Sequence, residues 1–94
     1  MLIRIVSMHF QRENVETFLE IFATSKDKIA ASPGCIQLDL LSDKNDPCHY
    51  TTLSNWVSEE ALDNYRNSEL FKTTWAKTKV LFSQKPQAAS YEVV

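Results

Sequence analysis

The sequence predicts an α+β sandwich of the ferredoxin-like type, on three observations. Four short stretches rich in branched and aromatic residues read as strands, and three amphipathic stretches read as helices. Their order is β-α-β-β-α-α-β, with no internal repeat and no linker, so residues 1–94 form one domain. In that arrangement the helices cover one face of a single antiparallel sheet. The opposite face then needs a cover, and the chain has no further helix to supply it. A second copy of the same sheet is the simplest cover, which predicts a symmetric homodimer.

The first strand is LIRIVSMHF, residues 2–10. Leu2, Arg4, Val6, Met8 and Phe10 share one side, and Ile3, Ile5, Ser7 and His9 the other. Apolar residues on both sides predict that both faces are covered. Asn14 is the expected N-cap of the first helix, where Val15, Phe18, Leu19, Phe22 and Ile29 recur at helical spacing. SPG at 32–34 stops this helix, because Pro33 disfavours helical backbone in Ser32 and Gly34 permits an unusual turn. CIQLDLLS, residues 35–42, places Ile36, Leu38 and Leu40 on one face and Gln37, Asp39 and Leu41 on the other. DKNDP at 43–47 is a turn, and CHYTTLSNW at 48–56 is the returning strand. Ser58 caps a short helix with Glu59 and Glu60 in its first turn. Ser68 caps another, expected to run to about Phe82, with Phe71, Trp75, Thr78 and Phe82 in one stripe. AASYEVV is the last strand.

Composition narrows the functional classes. The net charge is −2 with mixed signs and no basic cluster, which argues against nucleic acid and anionic membrane surfaces as partners. No apolar run is longer than three residues, so neither a membrane helix nor a signal-peptide core is expected, and the chain reads as soluble and cytoplasmic. Cys35 and Cys48 fall at opposite ends of the predicted hairpin, about 20 Å apart along it, beyond disulfide reach. Their spacing does not suit a zinc site either. No metal ligand set, catalytic Ser-His-Asp motif or glycine-rich phosphate loop is legible.

The ring-rich segment NWVSEEALDNYRNSELFKTTW, residues 55–75, holds Trp56, Tyr65, Phe71 and Trp75, four of the ten aromatic residues. Each has an ordinary structural reading as core and a functional one as the wall of a pocket for a flat molecule. Arg4 sits among apolar neighbours on its strand face. It would either pair with a carboxylate or stabilise an anion developing on a substrate. His9 is an interface or edge residue on the opposite face, and His49, next to a turn, is expected to be exposed.

The run from Ile29 through PGCIQLDLLSDKNDP into YTTLSNWVSEEALDNYRNSELFKTTW resembles the antibiotic biosynthesis monooxygenase (ABM) domain family. That family carries a similar P-G-C, D-P, W-x-S-x-E-A-L and S-x-x-F pattern. The resemblance covers essentially the whole chain and implies a dimeric α+β barrel. It implies a small-molecule substrate and, in the cofactor-free members, oxidation of quinols or aromatic polyketides by molecular oxygen without metal or flavin. Trp56 matches the Trp that helps form the pocket of those oxygenases. Their pocket Asn and Tyr are replaced here by Thr52 and Leu62, and Thr cannot substitute for a two-donor amide. In the haem-degrading members, an Asn on the first strand combines with a Trp and a His on later helices. Val6, Tyr65 and Trp75 stand at those positions, so haem degradation is not implied.

The site expected on these grounds has Trp56, Thr52 and Arg4 at its chemical centre and Tyr65, Phe71, Trp75 and Asn55 around the substrate. The corresponding activity is a cofactor-independent monooxygenase acting on a quinol-like or polyphenolic molecule. A non-oxidative enzyme such as an isomerase, or a non-catalytic ligand-binding module of the same fold, is the alternative that Thr52 and Leu62 favour.

Overall fold

The computed structural model describes all 94 residues. Strands β1 (Leu2–His9), β2 (Cys35–Asp43), β3 (Asp46–Trp56) and β4 (Gln87–Glu92) form one antiparallel sheet in the order β2-β3-β1-β4. Helices α1 (Val15–Ala30), α2 (Glu59–Arg66) and α3 (Glu69–Lys79) pack on one face, giving the predicted ferredoxin-like α+β architecture. No helix is long and apolar enough to cross a membrane.

Alternation along β1 sends its even-numbered residues to the helices. Met8 and Phe10 join Phe18 of α1 and Leu81 in one buried cluster. Leu2 joins Trp56 and Leu62 in a second. A core split in this way leaves a space between its halves, and that space becomes important below.

The two serine caps form as predicted. Ser58 Oγ accepts from the Ala61 N–H at 3.1 Å, and Ser68 Oγ accepts from the Phe71 N–H at 3.2 Å. Asn14 does not cap. Residues Arg12–Asn14 already coil into a 3-10 turn, so Asn14 has helical dihedrals and its amide donates to Gln11 instead. The third helix also stops earlier than Phe82. Beyond Lys79 the chain leaves the helix to bridge the end of β1, with the Ser83 N–H donating to the His9 carbonyl at 2.9 Å.

In β2 the expected alternation slips by one. Cys35 lies opposite Trp56 and Gln37 opposite Asn55, so Ile36 is an extra residue, a bulge. Cys35 therefore packs on the Trp56 cluster, while Ile36, expected under the helices, is 55% exposed. Leu38 and Leu40 beyond the bulge face the helices as anticipated. Just before it, Gly34 has φ +84°, and a Cβ there would lie 2.5 Å from Ala61 Cβ. Both its backbone and its closeness to α2 require glycine. Cys35 and Cys48 are both free; Cys35 pairs with Trp56, eight residues along β3 from Cys48, roughly 26 Å at strand rise.

Candidate active site

Between the sheet and the helices lies a cavity of about 280 Å³. Its floor is the helix-facing side of the sheet, with Arg4, Val6, Leu38, Thr52, Ser54 and Trp56. Its roof comes from Phe18 and Phe22 of α1, Leu62, Tyr65 and Arg66 of α2, and Phe71, Thr74, Trp75 and Thr78 of α3. The alternation that drives Leu2 and Met8 into the two clusters also points Arg4 and Val6 between them.

The four rings of the 55–75 segment do meet. Trp56 stacks on Tyr65 with centroids 5.1 Å apart, Tyr65 meets Phe71 edge-on at 5.3 Å, and Phe71 stacks on Trp75 at 5.8 Å. The question of core or pocket wall has a double answer for Trp56. It is only 1% exposed, so it anchors the core, yet it also lines the cavity. Its indole N–H donates to Ser54 Oγ at 2.9 Å, which satisfies the group on burial.

Tyr65 is the titratable group most affected by the site. Burial, and secondarily the charge of Cys35, push its phenol up to about 12 from 10.0. At neutral pH it is therefore a proton donor in a hydrogen bond and not a base. Because the folded value exceeds the unfolded one, the associated stability is intact below pH 10 and is lost as pH rises through about 12. Two units correspond to about 2–3 kcal/mol. Spectrophotometric titration should show a phenol ionising near pH 12 in the wild type, with stability falling between pH 10 and 12, and that component should vanish in Tyr65→Phe. A Tyr65→Phe curve identical to wild type would contradict this assignment.

Arg4 has no carboxylate partner. Its guanidinium donates to Ser90 Oγ on β4 at 3.0 Å, and the ion pair within 4 Å in this protein is elsewhere, between His49 and Asp43. Burial, then the neighbouring Arg66, lower the Arg4 pKa, and Asp63 partly offsets them. Thr52, beside Val6 in the sheet register, presents its side chain to the same space. No carboxylate or imidazole lines the cavity.

Asn55 is the exception among the expected site residues. It neighbours Trp56, so strand alternation turns it to the opposite face, where its amide donates to Gln37 Oε1 at 2.9 Å. Its own Oδ1 is buried without a partner. In its place the structure brings in Arg66, which the sequence reading missed. The signal was present: Leu62, Tyr65 and Arg66 fall at i, i+3 and i+4, one face of α2.

The other sheet face carries its own polar array. His49 is half-buried rather than exposed, with Nε2 2.7 Å from Ser7 Oγ and Nδ1 2.9 Å from Asp43 Oδ2. The hydrogen bond from His49 holds the Asp43 carboxyl below its usual range. His9 stacks flat on His49 at 4.1 Å. This places Ser, His and Asp in sequence-distant contact that no linear motif announces. Ser7 lies mid-strand, paired with Thr51 on one side and Gln87 on the other. The surrounding amides are thus committed to the sheet and leave no oxyanion donors. No three His, Cys, Asp or Glu side chains are grouped as metal ligands.

The antibiotic biosynthesis monooxygenase family pattern matches residues 1–77. The chain belongs to the antibiotic biosynthesis monooxygenase (ABM) family. A solved antibiotic biosynthesis monooxygenase superposes with a TM-score of 0.94 at 23% identity, covering 100% of this chain and 99% of the other. A protein from Nitrosomonas europaea gives 0.93 at 15% identity, with coverage of 100% and 99%. A protein from Methanosarcina mazei Go1 gives 0.91 at 22% identity, with coverage of 97% and 91%. At these identities the likeness establishes the ABM fold. No curated protein matches the chain.

Proposed function

We propose that this ABM protein is a cofactor-independent monooxygenase acting on a quinol-like or polyphenolic molecule. The observation that carries the reading is the cavity walled by Trp56, Tyr65, Phe71 and Trp75, with Thr52 and Arg4 as polar groups on its floor. An engineered apolar cavity of about 150 Å³ holds benzene, so about 280 Å³ suits a bicyclic or small tricyclic ring system.

The chemistry asks little of a cofactor if the substrate supplies the electrons. An acidic phenol or enol loses its proton, and the electron-rich anion adds molecular oxygen at carbon. The resulting peroxide breaks its O–O bond with loss of water, leaving one oxygen atom in a new carbonyl. Arg4 stabilises the anion, Thr52 and the Tyr65 hydroxyl orient it, and the apolar walls exclude water from the peroxide. With neither carboxylate nor imidazole on the walls, the proton leaves to solvent, and substrates that ionise easily are favoured.

Oxygen uptake with a panel of quinols and anthrones tests the proposal. Consumption above buffer is expected, with kcat/KM reduced roughly tenfold in Thr52→Ala, the worth of one hydrogen bond, and also reduced in Trp56→Phe. No uptake, or uptake indifferent to both substitutions, would sink it. The absence of a base also favours a second reading, a non-catalytic binding module. Its signature is a ligand that raises Tm and is recovered chemically unchanged.

The working unit in this proposal is a homodimer joined through the sheet face opposite the helices. The single chain exposes 6138 Å², more than the roughly 5,500 Å² typical of a folded monomer of this mass. Leu41 and Tyr91 are about half exposed on that face, beside half-buried Ile3, Ile5 and Leu53.

A further inference from the structure

Two guanidinium groups, Arg4 from β1 and Arg66 from α2, line one cavity, although no counter-charge lines it with them. Neither lies within 4 Å of a carboxylate, since the ion pair of this protein is His49–Asp43 on the far face. Arg4 uses one of its five N–H donors on Ser90 Oγ, and Arg66 sits at the exposed end of α2. The two cations feel each other: burial first, and then Arg66, lower the Arg4 pKa, with Asp63 as a partial offset. The other polar side-chain groups on the wall are uncharged: hydroxyls, the Trp75 indole N–H, and the Trp56 indole N–H, which is bonded to Ser54. A neutral ligand would leave that repulsion and Arg4's partial desolvation offset by Asp63 alone. An anionic oxygen group would relieve both, through charge-assisted and potentially bidentate hydrogen bonds.

Resting on the reading of the cavity as the substrate site, we propose that its ligand is an aromatic acid. Its rings lie among Trp56, Tyr65, Phe71 and Trp75, and its carboxylate or phosphate lies between Arg4 and Arg66. The anionic group does two things. It selects acids from neutral aromatics of the same shape, and it fixes which edge of the ring system faces Thr52.

Quenching of tryptophan emission reads the site directly, because both tryptophans line the cavity. The probes are 2-naphthoate, 2-naphthyl phosphate and the neutral isostere 2-naphthamide, each titrated at pH 7. At least one of the two anions should bind ten or more times tighter than the amide, and whichever is tighter identifies the head group. Arg66→Gln should weaken the anion about tenfold and leave the amide within twofold, with Arg66→Lys between. Anion and amide binding with equal strength, or an anion indifferent to Arg66→Gln, would overturn the inference while leaving the cavity as a binding site. If none of the three probes alters the emission at millimolar concentration, the cavity reading falls too.

Discussion

Ile5→Asp is expected to abolish the proposed homodimer, converting a particle of twice 10.8 kDa into monomer or unfolded chain. Ile5 sits in the middle of β1, opposite Leu53 on β3 and Ala89 on β4, on the face away from the helices. On an isolated monomer this substitution touches a half-open surface and costs at most about 1 kcal/mol, the span of strand preference. In a dimer it strands an uncompensated charge between two sheets, at about 3–5 kcal/mol for each copy. Obligate interfaces typically bury more than about 2,000 Å² in total, and the free chain exposes 6138 Å². Each protomer would then hide about a sixth of its surface, which light scattering and Tm should both register. A wild type that scatters as a monomer at micromolar concentration would refute the arrangement, as would Ile5→Asp that remains dimeric with unchanged Tm. The polar groups of this face bear on the same experiment. Asn55 Oδ1 has no partner in the single chain, and the His9–His49 stack lies beside Ser7.

What was legible in the sequence followed from periodicity and local chemistry. Leu2, Met8 and Phe10 reached the core because a strand alternates, and Ser58 and Ser68 capped because the following amides lie within one turn of their hydroxyls. The failures arose where one residue changed the count or where tertiary contact decided. The bulge at Ile36 exchanged its place with Cys35, since no local pattern distinguishes an extra residue from a regular one. Asn14 lost its cap to a 3-10 turn that no residue type demanded. The site shows the same division. Trp56, Tyr65, Phe71 and Trp75 share a cavity because their helical and strand spacings face inward, and Asn55 turns away for the same reason. Arg66 was passed over because an arginine beside polar residues on a short helix reads as solvated surface. Its place beside Arg4 depends on how α2 lies over the sheet. Asp43, His49 and Ser7 met only through the register of three strand segments, which sequence separation conceals.

Trp56→Ala should be the most damaging single truncation, about 3–5 kcal/mol, the range for removing a large buried aromatic. Trp56 is 1% exposed and holds Leu2 and Leu62 together, the smaller of the two core clusters. Removing it also leaves Ser54 Oγ without the indole donor and Tyr65 without its stacking partner. Small domains have total stabilities of only about 5–15 kcal/mol, so much of the folded state is at risk. The loss should not be confined to stability, because the same ring walls the cavity. Trp56→Phe separates the two roles. It keeps a ring in the core, at an expected cost on the order of 1–2 kcal/mol from the smaller volume and the orphaned hydroxyl. If Trp56 only supports the fold, a folded Trp56→Phe protein should bind aromatic ligands as wild type does. If it forms the wall, binding should weaken several-fold while Tm falls only modestly. Urea unfolding and ligand titration on both variants decide between them, and an Ala variant within 1 kcal/mol of wild type would mean that Trp56 does not hold the sheet to α2.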